Sequence, residues 1–243
     1  MPAMKPTVIG FGVPLYESVE GYTFTHLTAL FAGWRDLAPA EWVLKGPIIA
    51  RGSVIADNRE SIASALLGDG YDGAPGSESP SGTLSTRPAD VIVWNDADCY
   101  LENPEDYIAI VRALLAARSA GRRVAAVGVA APIQKTGELR PNVVPLPGTG
   151  NTLSFGRGLF PVDWIGFGVL ATIADAYVGA PRPWFRHIPG DGPDAGGEDV
   201  SWCRDARARG WEILLDSDRL ATHAFRAPHR LDRPGAPRRR ETA

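Results

Sequence analysis

The 243-residue chain has only two cysteines and no apolar run near the ~18 residues that a membrane-spanning helix needs. Cys99 and Cys203 lie in separate segments with no CxxC or CxxH partner, which argues against both a disulfide framework and a zinc site. No charged segment followed by an apolar one marks a secretory signal. A soluble protein in a reducing cytoplasm is therefore expected. An excess of one charge is also missing: the formal net charge of -3 gives no global attraction to nucleic acid or to an anionic membrane. The exception is the stretch from Arg226 to Arg240, where arginines stand among prolines. Residues 226–243 read as a flexible, solvated basic tail that slightly favours a polyanionic acceptor. What is present suits one large domain over residues 1–225. With 44% hydrophobic and 22% charged residues, such a chain buries roughly 70% of its unfolded surface without a metal or disulfide staple.

Thr7 to Val13 is a β-rich run ended by Pro14, which cannot donate to a central ladder, and reads as a first buried strand. Tyr22, His26, Leu27, Leu30, Phe31 and Trp34 recur at helical spacing and predict one apolar stripe, with His26 at its core or boundary. Trp42-Val43-Leu44 with Ile48-Ile49 suggests a second strand. Asp57 and Glu60 then have the spacing of a capping box for a helix running to Gly68. Residues 69–88 are rich in Gly, Ser, Pro and Asp without periodicity, and predict a surface loop or lid. Val91-Ile92-Val93-Trp94 is apolar throughout, as a strand covered on both faces should be. A helix follows, with Asn103 as cap, Pro104 at its first position and Gly121 as its stop. Val124 to Val129 gives another apolar strand. This alternation predicts an α/β fold with a mostly parallel sheet, in which ligands bind at the carboxyl ends of strands.

The strand at Val91 ends in Asn95-Asp96-Ala97-Asp98, at such a carboxyl end. Two carboxylates one residue apart are hard oxygen donors suited to Mn²⁺ or Mg²⁺, ions that keep open positions for phosphate oxygens. An isolated DxD more often only shapes a turn; position is what gives this one weight. A second constellation, Gly197-Glu198-Asp199-Val200, opens a further helix that closes near Gly210. Acids there suit the helix dipole, and a carboxylate fixed in that way can also take a proton from a hydroxyl. His223, after the strand-like Trp211 to Leu215, offers a neutral imidazole as a metal ligand and would shift preference toward Mn²⁺.

In this order the pieces resemble the GT-A fold nucleotide-sugar glycosyltransferases over roughly residues 7 to 225. The matching features are Val13-Pro14-Leu15-Tyr16, Asp57-Asn58-Arg59, Trp94-Asn95-Asp96-Ala97-Asp98 and Ile165-Gly166-Phe167-Gly168, then Pro183-Trp184-Phe185, Gly197-Glu198-Asp199-Val200 with Trp202-Cys203, and His223. The resemblance implies a Rossmann-like domain and transfer from a nucleotide-diphosphate sugar, a UDP-sugar being favoured. Pro14, Leu15, Tyr16 and Arg59 would line the nucleotide pocket. Asp96 would touch the ribose or the metal, Asp98 would bind the metal, and His223 would complete its shell. Gly166 and Gly168 would set bare backbone beside the donor sugar, and Trp184 and Trp202 would stack on sugar or base or pack in the core. Asp199, with Glu198 second, would be the base of an inverting enzyme. The acceptor stays open among glycan, lipid carrier, protein and modified nucleic acid.

Other classes fit less well. Gly166-Phe167-Gly168-Val169-Leu170-Ala171 matches the dinucleotide pattern GxGxxA but falls late in the chain. A DxD-type phosphatase lacks a suitable lysine, since Lys5, Lys45 and Lys135 are the only ones. A sugar-phosphate nucleotidyltransferase, the nearest rival, wants a basic residue in its phosphate loop, and Gly10 to Pro14 has none. A non-catalytic sugar-nucleotide or nucleic-acid binding protein would not need Asp96, Asp98, Asp199 and His223 together.

Overall fold

The structure is a computed structural model that describes residues 6–15, 21–52, 54–68, 87–135, 138–147, 156–189 and 196–224. The expected pocket residue Tyr16, the basic tail and all but the end of the 69–88 loop lie outside the described residues.

The elements in chain order are β1 (Thr7–Leu15), α1 (Gly21–Ala32), α2 (Trp34–Leu37), β2 (Trp42–Arg51), α3 (Ile55–Leu67), β3 (Val91–Asn95), β4 (Cys99–Tyr100) and α4 (Pro104–Ser119). There follow β5 (Val124–Ala130), β6 (Pro132–Lys135), β7 (Glu138–Pro141), β8 (Val143–Pro145), β9 (Leu159–Ile165) and β10 (Val169–Ile173). A 3₁₀ turn (Ala174–Ala176), α5 (Glu198–Ala208), β11 (Glu212–Leu220) and β12 (Thr222–His223) complete them. Eight strands form one sheet in the order β2-β1-β3-β10-β5-β11-β9-β8. Only β9 and β10 run against the other strands, so the sheet is mostly parallel and helices flank it. This is the α/β architecture expected of a Rossmann-like domain.

Hydrophobic pattern accounts for the layers. Every residue of β3, β5 and β10 is buried, as strands covered on both faces require. On α3 the apolar residues Ala56, Ile62, Ala63, Leu66 and Leu67 are buried, and on α4 Tyr107, Ile108, Ile110, Val111 and Leu114, both at helical spacing. α4 begins at Pro104, as the sequence suggested, and Gly121 beyond its end takes φ +85°; Asn103 holds the N-cap position but makes no side-chain cap hydrogen bond, its Nδ2 donating instead to Asp106 Oδ2 at 3.4 Å. Pro14 is tolerated because pairing with β3 stops at Gly12, while β2 accompanies β1 to Leu15.

Some expectations are corrected. α3 starts at Ile55 after an extended Val54, so Asp57 lies inside the helix and makes no capping box. Glu60 instead accepts the backbone N–H of Trp184 at 2.8 Å and of Phe185 at 3.4 Å, a tertiary pair of donors that outcompetes the local cap. Thr23, Leu27 and Leu30 are the buried residues of α1, leaving Tyr22 57% exposed. Gly166-Phe167-Gly168 leads into β10, a strand, whereas a dinucleotide fingerprint needs a helix there.

Candidate active site

The site grows from the end of β3. Asn95, fully buried, donates through Nδ2 to the carbonyls of Asp96 and Cys99, each at 2.8 Å. The Tyr107 hydroxyl of α4 donates to Asn95 Oδ1 at 2.8 Å and accepts from Leu101 N at 3.0 Å. The DxD loop is therefore closed around an amide fixed from the next helix. From the other side, Asp96 N donates to Gly168 O at 2.9 Å, which ties the loop to the turn between β9 and β10. Glycine is needed in that turn for space. A Cβ on Gly166 would lie 2.5 Å from Asn142 Nδ2, and one on Gly168 3.1 Å from Cys99 Sγ.

His223 reaches this loop through the ribbon of β4 and β12, in which it stands opposite Cys99 while Ala224 N donates to Asp98 O at 2.7 Å. The imidazole Nε2 lies 2.8 Å from Asp98 Oδ2, and Nδ1 lies 2.8 Å from the Pro132 carbonyl. A carbonyl only accepts, so Nδ1 carries a proton and donates it. Hydrogen bonding to Asp98, and then its charge, raise the His223 pKa above 6.5. Burial alone would raise Asp98, but the hydrogen bond and charge of His223 hold it below 3.8. The ligand-type atoms of Asp98, Cys99 and His223 lie within 4.8 Å of one another.

These residues fit a divalent cation. With Nδ1–H committed to Pro132, a neutral His223 presents its Nε2 lone pair beside an ionised carboxylate, the orientation that carbonyl-anchored histidine ligands use. A carboxylate with an imidazole suits Mn²⁺ better than Mg²⁺. The Cys99 thiol is pushed up by burial, with Asp96 and Asp98 adding to the effect, and stays protonated beside them.

Asp96 faces the other way. Its Oδ1 accepts from Arg59 Nη2 at 2.6 Å, and Arg59 Nη1 donates to Glu198 Oε1. The surrounding protein strips water from Asp96 and pushes its pKa up to about 6, against the pull of Arg59. Asp199, in the first turn of α5 after Gly197, accepts from Val200 N at 2.7 Å through Oδ1, and burial raises its pKa. Pro14 and Leu15 end β1, where the Leu15 carbonyl accepts from Gly52 N and Asn58 Nδ2. The structure thus brings Arg59, Asp96, Asp98, Glu198, Asp199, Gly168 and His223 around one sheet end. It does not bring Trp184 there: that ring is 2% exposed, edge-on to Tyr177 and covered by Arg182. Trp202, also 2% exposed, packs on Phe167 and Tyr177.

No family model matches the sequence, and no curated protein matches it. Among solved structures, the crystal structure of A197 from STIV superposes with a TM-score of 0.55 at 16% identity, over 96% of this chain and 99% of that one. The two share a fold. The crystal structure of GalNAc-T7 with UDP, GalNAc and Mn²⁺ gives a TM-score of 0.49 at 12% identity, over 91% of this chain and 44% of that one. Among the described residues, no helix is long and apolar enough to cross a membrane.

Asn95, Tyr107 and Cys99 are parts of the site that the sequence reading passed over. Asn95 directly precedes the DxD, and that adjacency was the available signal. Tyr107 carried no signal of its own in the helix that follows Pro104. Cys99 carried no spacing signal at all, because its neighbour His223 comes from 124 residues further along, by the numbering.

Proposed function

We propose that this chain is a metal-dependent GT-A type glycosyltransferase that moves a sugar from a nucleotide-diphosphate sugar to an acceptor hydroxyl with inversion. The observation that carries this reading is the Asp98–His223 pair at a sheet end, its imidazole anchored by a carbonyl. Asp98 and His223 would hold Mn²⁺, or less well Mg²⁺. When bound, the ion neutralises negative charge growing on the departing diphosphate.

The chain's own groups do the rest. Pro14 and Leu15, at the end of β1, flank the nucleotide, a UDP-sugar being the favoured donor. The Gly168 turn, hydrogen-bonded to the DxD loop, presents backbone to the donor sugar. Asp199 takes the proton of the acceptor hydroxyl as that oxygen bonds to the anomeric carbon and the bond to the diphosphate oxygen breaks. Burial raises the Asp199 pKa above the ordinary aspartate value, which makes it a better base. One oxygen of Glu198 is committed to Arg59, which leaves the base role to its neighbour.

A thermal-shift screen of nucleoside diphosphates and nucleotide-sugars, with and without Mn²⁺, tests the reading. Stabilisation by one base only when Mn²⁺ is present is the expected result; at a hundred times Kd it amounts to about 2.7 kcal/mol. Proton NMR coupling constants of the product made with the donor so identified then give the anomeric outcome. Indifference to every nucleotide in Mn²⁺ would remove the proposal.

A further inference from the structure

An arginine that lines a nucleotide pocket keeps its guanidinium open to the ligand, and Arg59 does not. Its side chain is 3% exposed. Nη2 is held by Asp96 at 2.6 Å, Nη1 by Glu198, and the guanidinium lies over the Phe167 ring, 5.1 Å from its centroid. Burial opposes its charge, and the combined field of Asp96, Glu198 and Asp199 outweighs that effect and raises its pKa.

The three groups it joins come from different parts of the chain. Arg59 belongs to α3, Asp96 to the loop after β3, and Glu198 to the first turn of α5. Asp96 is 37 residues away and Glu198 139. Arginine's rigid planar fork can set two carboxylates at a fixed mutual angle, which a lysine ammonium cannot.

We propose that Arg59 is a positioning residue that clasps the DxD loop to the acidic start of α5, fixing Asp199 relative to the metal-side loop without touching the nucleotide. The inference rests on the glycosyltransferase reading and replaces the pocket-lining role that the resemblance implied for Arg59. Glu198 then acts only through Arg59, as the far anchor of the clasp. One consequence is a separation of effects: nucleotide affinity is set elsewhere, and turnover depends on the clasp. Another is that Arg59 and Glu198 behave as one unit.

The test uses the full chain with Arg59→Lys, Glu198→Gln and the double variant. Transfer kinetics in saturating Mn²⁺ are compared with calorimetric affinity for the nucleoside diphosphate, and melting is measured for all four proteins. Arg59→Lys is expected to lower kcat about 10²-fold, the scale of a misplacement near 1 Å. Glu198→Gln is expected to lower it about tenfold, as loss of a supporting partner does. The nucleoside diphosphate Kd should move less than about threefold in each, since nothing that contacts it is removed. The double variant should be no slower than Arg59→Lys alone, because residues acting as a unit are not additive. A Kd that weakens in step with kcat/KM while kcat holds would overturn the clasp, as would additive losses in the double variant. If Arg59→Lys fails to fold, the same split measured on Glu198→Gln decides. If the wild-type chain transfers no sugar, the function reading fails and the clasp is judged on melting, where additive shifts across the cycle overturn it.

Discussion

Asp96 and Asp98 stand one residue apart on one loop and meet opposite surroundings. Asp96 is pushed up to about 6 by burial, with Arg59 opposing. Asp98 is only partly buried, and His223 holds it below the ordinary 3.8. The difference teaches that the two carboxylates of this DxD are not equivalent. One fastens the loop to a buried arginine, and the other stays ionised beside an imidazole that a carbonyl has already oriented. Spacing alone shows two identical residues; the partners, brought from positions 59 and 223, divide their labour.

The sharpest way to break this comparison is to neutralise each aspartate in turn. Asp98→Asn should slow transfer roughly 10³-fold, the several kcal/mol that a bound metal supplies, and should abolish Mn²⁺ stabilisation. Asp96→Asn should keep Mn²⁺ stabilisation, and initial rates with a melting series in Mn²⁺ check both. Equal loss of Mn²⁺ stabilisation in the two variants would erase the distinction. Next in size, Gly166→Ala should destabilise the fold by about 1–3 kcal/mol in thermal melts, because its Cβ would sit 3.1 Å from the Cβ of Asn142 as well as 2.5 Å from its amide.

A pH series separates the two aspartates further. Asp96's folded pKa of about 6 exceeds its unfolded value, so its ionisation costs stability as pH rises from 3.8 through 6. His223's folded pKa is also raised, so its contribution is full below 6.5 and is lost as pH rises through the folded value. Metal-free protein should therefore melt at lower temperature as pH climbs from about 4 toward 7. Mn²⁺ affinity should move the other way, by about tenfold per pH unit below the raised His223 pKa, since a ligating imidazole must shed a proton. Melting curves with and without Mn²⁺ check the opposed slopes. Last, Tyr107→Phe should cost about 1–3 kcal/mol in the same melts, since it leaves both Asn95 Oδ1 and Leu101 N without the hydroxyl that shapes the loop beneath both aspartates.

The fold was legible where neighbours in sequence are partners in structure. The apolar run of β3, the proline start and glycine stop of α4 and the acidic start of α5 rest on local chemistry, and the residue pattern displays them. β10 was missed because Val169 to Ile173 is a short apolar run, indistinguishable by periodicity from a buried helix segment. Only its insertion between β3 and β5 makes it a strand. Glu60 misled for the same reason in reverse, since its local spacing suggested a cap and its real partners lie 124 and 125 residues on. In the site, residue type singled out Asp98 and His223, which the fold sets 2.8 Å apart. The hydrogen bonds that tie Arg59 and Asn95 into it were not legible, because they run between elements.

The central claim is a cation held between Asp98 and His223, and calorimetric titration of Mn²⁺ in the presence of UDP tests it most directly. Run in buffers of different ionisation enthalpy, it should show one ion taken up by the wild-type chain with release of the His223 proton, and neither uptake nor release in Asp98→Ala and His223→Ala. Wild-type affinity and stoichiometry in those two variants would contradict the account.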